Sequence, residues 1–256
     1  MEINSVNLEG EFMKKISIKD HISNFSKIRY YFHLQDLQKY FNNNKVEYNE
    51  ENLKKSILRL KKNNIIYGAG RGWYSTIVEK FVLHSEPIEK IIKIISEKFP
   101  LLEFSCWSTE QLKSFFHHLP TQFLTFIYLD KDYLQTLKDF LWENNYNVFL
   151  NPSKKETEKF LLIRNKTIIL RSAIHYRESK NQYLAKIEKI IVDLFMEMKK
   201  VNLIDFEEYK KIVSNIILSN RVNIAEILDY AHSRKIRDEI YIVLQEICVS
   251  TKATFL

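Results

Sequence analysis

Residues 49–75 read NEENLKKSILRLKKNNIIYGAGRGWYS, and this stretch decides the fold of the N-terminal part of the chain. Leu53, Ile57 and Leu60 recur at the spacing of one helix face, so we predict a helix that begins after an Asn49 N-cap. The segments IIY, GAGRG and WYS that follow predict a strand, a tight turn and a second strand. Glycine supplies the positive φ that short hairpin turns need.

Two more helices are predicted upstream of this stretch. Apolar residues between Ile16 and Phe25 have helical spacing, as do those between a helix start near His33 and Phe41. Three helices followed by a hairpin are typical of a winged helix-turn-helix, in which the third helix enters the major groove of DNA. We therefore predict a winged helix-turn-helix DNA-binding domain over residues 1–80.

Positive charge is concentrated in the same region. The 256-residue chain has a net charge of +7, and residues 1–80 hold 14 Lys or Arg against 9 Asp or Glu. The segment 54–71 contains six basic residues and no acidic residue. A basic run is usually only a solvated face, but beside a predicted helix and hairpin it favours contact with phosphates. The third helix presents a polar, basic face made of Asn52, Lys55, Ser56, Arg59, Lys62 and Asn63.

The composition excludes several other functions. With four glycines and no G-x-x-x-x-G-K-[ST], the chain lacks the usual phosphate-binding loop, and GAGRG is flanked by strands instead of joining a strand to a helix. Cys106 and Cys248 are far apart, so neither a zinc ribbon nor a disulfide framework is expected. We expect no metal or cofactor. Without an apolar leader or an 18-residue apolar run, a cytoplasmic location is expected and a membrane partner is not.

The rest of the chain predicts two further blocks. Residues 86–178 alternate helix and strand, which favours a small α/β domain with at least three strands. Its predicted elements are helices at 87–98, 108–118 and 131–144 and strands at 102–107, 123–129, 146–150 and 167–171. Residues 182–256 predict helices only, with Asp205 and Asn223 as N-caps, packed on the α/β domain. The expected fold class is α+β and mostly helical.

A catalytic site is not expected, and its nearest candidates have ordinary structural explanations. Asp130 and Asp132 follow a predicted strand, where a metal nuclease can place carboxylates, and Glu156 could be a third. No complete acid–acid–Lys set accompanies them, and Asp130 is also a natural helix N-cap. A metal-dependent nuclease, or another nucleic-acid-modifying enzyme targeted by the winged helix, is the alternative function.

Two other features have candidate structural roles. His117 and His118 are adjacent on a predicted helix, so they point apart, and we expect one in the core and one at the surface. Asp193 interrupts an apolar helix. It either pairs with Lys189 one turn away or anchors the helical block to the α/β domain or to a partner.

Three parts of the chain resemble the AbiEi-type antitoxins, transcriptional regulators of bacterial type IV toxin–antitoxin operons. They are NNIIYGAGRGWY at 63–74, YNVFLNPSK at 146–154, and IEKIIVDLF at 187–195 with ILDYAHSRKIRDEI at 227–240. The resemblance implies a repressor that binds inverted repeats in the promoter of its own operon and antagonises a nucleotidyltransferase-type toxin. The toxin's own signature, Gly-Ser followed by paired Asp, is missing here.

The resemblance also implies the DNA contacts. Carried over by position, they lie on the third helix and on the wing. The predicted DNA-binding residues are Asn52, Lys54, Lys55, Ser56, Arg59, Lys62, Arg71 and Trp73.

Overall fold

The computed structural model describes residues 17–160, 166–173, 183–201 and 203–249. The fold is α+β and about 57% helical, with two small sheets. Ile16, the boundary expected between 178 and 182, and residues 250–256 lie outside the described part of the chain. Among the described helices, none is both long and apolar enough to cross a membrane.

The N-terminal unit, residues 17–80, contains three helices and a three-stranded antiparallel sheet. Its elements are α1 (Ile18–Lys27), β1 (Tyr31–His33), α2 (Leu34–Asn43), α3 (Glu50–Lys62), β2 (Tyr67–Gly68) and β3 (Trp73–Ser75). The strand order is β1-β3-β2, so a strand before α2 completes the predicted hairpin. The predicted helix α3 is present: Asn49 Oδ1 accepts a hydrogen bond from the Asn52 N–H at 2.8 Å, and Leu53, Ile57 and Leu60 are buried.

The middle of the chain forms a four-stranded mixed sheet with three main helices. Its elements are α4 (Glu86–Lys98), β4 (Phe104–Ser108), β5 (Leu124–Leu129), α5 (Leu134–Glu143), β6 (Asn147–Leu150), α6 (Lys154–Phe160) and β7 (Thr167–Ser172). The order is β4-β5-β7-β6, with β4 antiparallel to β5 and the other pairs parallel. The helix predicted at 108–118 is wrong: Thr109–Phe115 is a 3₁₀ helix, and the chain is extended at Phe116.

The two faces of this sheet have different coverings. Along β5, Ile127 and Leu129 pack towards α4 and α5, while Phe126 and Tyr128 pack towards the C-terminal helices. Successive side chains of a strand point to opposite faces, so one continuous apolar run fills both layers. The C-terminal helices are α7 (Ile187–Val201), α8 (Phe206–Ser219), α9 (Ile224–Ser233) and α10 (Arg237–Val249). The predicted caps are present: Asp205 accepts from the Glu208 N–H, and Asn223 from the Glu226 N–H.

The N-terminal unit is joined to the C-terminal helices through shared core residues. Tyr31, Ala69 and Trp73 belong to the same apolar cluster as the buried side chains of α7 to α10. The other face of the N-terminal unit has its own small core around Phe32, Leu37 and Phe41. The small sheet therefore lies between its own helices and the C-terminal block.

Candidate nucleic-acid interface

Helix α3 presents most of the predicted DNA-binding residues to solvent. Ser56 is half-buried, whereas the other predicted residues of α3 are exposed: Asn52, Lys54, Lys55, Arg59 and Lys62. The apolar stripe faces inward and fixes the rotation of the helix, so these side chains share the outer surface by geometry. The sequence predicted this division correctly.

The N-terminal half of α3 is less basic than the sequence segment suggests. Lys54 Nζ lies 3.6 Å from Glu50, and Lys55 Nζ lies 2.6 Å from Glu51, each one helical turn back. The acid-free run begins at residue 54, but the turn of the helix brings these two carboxylates beside it. Exposed pairs of this kind add little stability, yet they partly neutralise the lysines.

Within α3 and the hairpin, the cations without a partner among the described residues lie at the C-terminal end of α3 and at the hairpin turn. Within the described residues, the side chains of Arg59, Lys62 and Arg71 make no hydrogen bond or ion pair with the protein. The side chain of Lys61 is a fourth cation of this kind. A Cβ placed on Gly68 would lie 3.7 Å from Lys61 Nζ, so the hairpin begins beside the last turn of α3. The sequence reasoning included Lys61 in the basic run but not among the DNA contacts. We call Arg59, Lys61, Lys62 and Arg71 the basic rim.

The hairpin turn places Arg71 between two glycines whose conformations few other residues could adopt. The Trp73 N–H donates to the Gly70 carbonyl at 3.1 Å, so Arg71 and Gly72 are the central residues of a turn. Gly72 has a φ of 75°, and a Cβ there would lie 2.6 Å from His33 Nε2. A side chain at position 72 would therefore be both strained and crowded. Arg71 itself is exposed at the tip.

Trp73 has a different environment from the other predicted contacts. Its side chain is only 9% exposed, lies in the core shared with the C-terminal helices, and packs on the His33 ring at 5.2 Å between centroids. Burial also lowers the pKa of His33, which is the N-cap of α2. The indole thus holds the hairpin to the N-terminus of α2, and little of it is open to a ligand.

An apolar groove runs along the other flank of α3. Leu58 is 63% exposed beside a cavity of about 380 Å³ between α2, α3 and Tyr74 of β3. Lys54 and Lys61 also line this groove. An exposed apolar side chain on a helix that reads DNA can contact the methyl group of thymine. The exposure of Leu58 beside this groove was not predicted, because a single leucine in a basic helix gives no sign of it in the sequence.

A buried ionic cluster lies between the sheet and the C-terminal helices, away from the basic rim. Its members are Tyr128, Arg171, Asp193, Glu197, Tyr230 and Arg234. Arg171 Nε donates to both Glu197 oxygens at 3.0 and 3.1 Å, and its Nη1 donates to the Pro152 carbonyl at 2.9 Å. The cluster therefore joins β7 to α7 and to the segment after β6.

Asp193 connects α7 to α9 within this cluster. The Tyr230 hydroxyl donates to Asp193 Oδ1 at 2.8 Å, and Arg234 Nη2 lies 3.6 Å from the same oxygen. Burial raises the pKa of Asp193 to about 6. The carboxylate is fully buried, so its anchoring role lies within the protein.

The enzyme candidates have structural roles. Asp130 Oδ1 accepts from the Asp132 N–H at 2.9 Å, the cap expected for it, and Glu156 Oε2 accepts from the Ser153 N–H at 2.7 Å. Among the described residues, no group of three or more His, Cys, Asp or Glu side chains could hold a metal ion. The alternative of a metal-dependent nuclease therefore gains no support from this geometry.

In the described part of the chain, His117, His118 and the two cysteines also have no reactive arrangement. His117 and His118 are both exposed, which corrects the expected core position of one of them; their backbone N–H groups donate to Glu208 Oε1. They follow the 3₁₀ helix, where no helical periodicity sends one side chain inward. Burial raises the pKa of both the Cys106 and the Cys248 thiol, which keeps them protonated and unreactive.

The comparisons with known proteins give a family without an assigned activity. Residues 52–249 match the DUF6577 family, described as a family of unknown function, and the chain belongs to it. The match extends from the first turn of α3 to the end of α10, so it includes the basic rim, the hairpin and the C-terminal block. No curated protein matches the chain.

Proposed function

We propose that this protein is a winged helix-turn-helix repressor that binds double-stranded DNA. The observation that carries the proposal is the basic rim: four exposed cations at the end of α3 and at the hairpin tip, none with a protein partner among the described residues. The order helix, strand, helix, helix, hairpin supports the same proposal, because it presents one helix and one turn on a rigid support. Cations without partners are free to replace the counterions of DNA phosphates.

The surface of α3 divides into parts with different proposed roles. Arg59, Lys62 and Arg71 contact phosphates and set the position of the protein on the duplex. Asn52 and Ser56 are the side chains that read base edges, whereas Leu58 lies on the other flank of the helix. Lys54 and Lys55 contribute less than their charge suggests, since Glu50 and Glu51 accompany them. Trp73 supports the hairpin from inside and is left out of the proposed contact surface.

The proposed biological role is that of an antitoxin in a type IV toxin–antitoxin operon. The protein binds inverted repeats in its own promoter and antagonises a nucleotidyltransferase-type toxin, directly or indirectly. It works in the cytoplasm as a binding protein without a cofactor, not as an enzyme. This part of the proposal is supported by the resemblance of three sequence segments to AbiEi-type antitoxins.

Repression is tested with a reporter under the control of the protein's own upstream region. Expression of the intact protein should lower reporter output, and Arg59→Ala with Arg71→Ala should restore it. The antitoxin role is tested separately, by expressing the product of the neighbouring gene alone and together with this protein. Growth arrest that co-expression relieves is expected. Unchanged reporter output would refute repression, and a neighbouring product that does not arrest growth would refute the antitoxin role alone.

A further inference from the structure

We infer that the segment Asn220–Ala225 of the C-terminal block positions the hairpin for DNA binding, and that Arg221 is its main positioning residue. We call residues 220–225 the clamp segment. It runs from the end of α8 into the first turn of α9 and lies against the N-terminal unit. The inference rests on the proposed function, since positioning matters only if the hairpin contacts DNA.

Arg221 binds the chain that leaves the hairpin. Its Nη1 donates to the carbonyls of Ile77 and Val78, each at 2.7 Å. Its backbone N–H donates to the Glu79 carbonyl at 2.7 Å, and its own carbonyl accepts from the Phe81 N–H at 3.0 Å. Four hydrogen bonds thus fix the backbone that follows β3 to one residue of the C-terminal block.

The same arginine also contacts the chain that enters the hairpin. The Arg221 guanidinium lies over the ring of Tyr67 in β2, 4.5 Å from its centroid. This contact combines a cation–π attraction with packing against a planar group. One side chain therefore contacts both ends of the hairpin, at Tyr67 before the turn and at Ile77 after it.

Other residues of the clamp segment reach the remaining parts of the small sheet. The Tyr31 hydroxyl in β1 donates to the Asn220 carbonyl at 3.2 Å and accepts from the Val222 N–H at 3.0 Å. At the hairpin tip, a Cβ placed on Gly70 would lie 2.2 Å from Asn223 Oδ1 and 2.4 Å from Ala225 Cβ. Backbone and segment are therefore in direct contact at Gly70, the residue before Arg71.

These contacts give Arg71 a fixed location relative to α9. A hairpin of two short strands has little stability of its own. The clamp segment supplies contacts at the base, the strand β1 and the tip, while Arg71 remains exposed between Gly70 and Gly72. Arg221 acts through this hairpin and needs no contact with DNA itself.

The test compares operator binding by Arg221→Ala, Arg221→Lys and the control Lys211→Ala, which removes an equal charge from an exposed position on α8. Dissociation constants are measured on the protein's own upstream DNA over a series of salt concentrations. Amide hydrogen exchange is followed over residues 67–81 in the same variants. Arg221→Ala should weaken binding about tenfold. The slope of log K against log salt should not change, because Arg71 still contacts its phosphate in the complex and the lost affinity is the cost of ordering the hairpin on binding.

The other readouts separate positioning from a general loss of structure. Exchange over residues 67–81 should accelerate in Arg221→Ala while α4 to α6 keep their protection, and Arg221→Lys should recover part of the affinity. Lys211→Ala should behave as the intact protein. If Arg221→Ala does not fold, Arg221→Lys carries the test, with the same unchanged slope and a smaller loss of affinity.

Three outcomes would overturn the inference. Unchanged affinity in both folded variants would show that the clamp does not affect DNA binding, and a slope reduced by about one unit would show that a phosphate contact is lost, which ordering of the hairpin alone does not explain. Unchanged exchange over 67–81 would show that Arg221 does not hold the hairpin. Failure of the intact protein to bind its upstream DNA would instead refute the proposed function, and the exchange data would then report the clamp alone.

Discussion

The double substitution Arg59→Ala with Arg71→Ala is the most informative perturbation of the proposed interface. Both side chains are exposed and have no partner among the described residues, so their loss should change the free energy of unfolding by no more than about 0.5 kcal/mol. The fold of the variant should therefore be intact. Any loss of DNA binding then reports the contacts and not the stability of the protein.

The size of the effect follows from the number of cations removed. Each phosphate contact on duplex DNA contributes about 0.9 to the slope of log K against log salt, so two contacts contribute about 1.8. If this contribution vanishes near 1 M salt, it amounts to about 60-fold in affinity at 0.1 M. The variant should thus bind its own upstream DNA roughly 60-fold more weakly at 0.1 M, with a slope lower by about 1.8.

The assay is fluorescence anisotropy of labelled upstream DNA over a series of salt concentrations. The matched control is Lys98→Ala with Lys211→Ala, which removes the same charge from exposed positions on α4 and α8. The control should keep the slope of the intact protein. Equal slopes for the double variant and the control would refute the assignment of Arg59 and Arg71 as phosphate contacts.

Three further predictions concern the stability of the fold. Glu197→Ala leaves Arg171 buried without its carboxylate and should lower the free energy of unfolding by about 3–5 kcal/mol, measured by urea denaturation; a loss below about 1 kcal/mol would contradict the role of this pair. Asp193 has a pKa raised to about 6, so the folded state binds its proton more tightly than the unfolded state, and stability falls as pH rises from about 4 to about 6. Asp193→Asn should remove this part of the pH dependence of stability. The urea midpoint is measured at about pH 4.5 and about pH 6.5, and it should fall between the two more in the intact protein than in the variant; an equal fall in both proteins would refute the prediction. In Gly72→Ala the new Cβ would crowd His33 in a backbone conformation with positive φ, so the variant should be less stable by about 1–3 kcal/mol and melt several degrees lower. An unchanged melting temperature would show that the turn relaxes freely.

Local sequence patterns predicted those parts of the fold whose causes are local. Helix α3 needed only the 53–57–60 spacing and the Asn49 cap, and both are present. The buried strand β5 followed from its run of aromatic and β-branched residues. Asp205 and Asn223 cap their helices as expected.

The features that sequence reasoning missed depend on distant parts of the chain. Strand β1 has three residues, and its central residue Phe32 pairs with Tyr74 of β3, 42 positions further along the chain, so no local pattern marks it. Trp73 is buried because Tyr31 and the C-terminal helices cover it, and a position next to a glycine-rich turn gives no sign of that. The 3₁₀ helix at Thr109–Phe115 replaces the predicted helix where Glu208 of α8 binds the backbone of His117 and His118.

The candidate site shows the same division. The outward direction of Arg59 and Lys62 was predictable from helix geometry. The partial neutralisation of Lys54 and Lys55 by glutamates one turn back became visible only from the ion pairs in the structure. The dependence of Arg71 on the clamp segment could not be foreseen, because about 150 residues separate Arg71 from Arg221 along the chain.

The most direct measurement is gel retention of the protein's own upstream DNA, compared with scrambled DNA of equal length and composition, at about 50 and about 200 mM salt. Sequence-specific recognition requires that the upstream DNA is retained at protein concentrations that leave the scrambled DNA free. The account predicts this preference at both salt concentrations, with weaker binding at the higher one. Equal and weak retention of both DNAs would reduce the basic rim to non-specific attraction and contradict the account.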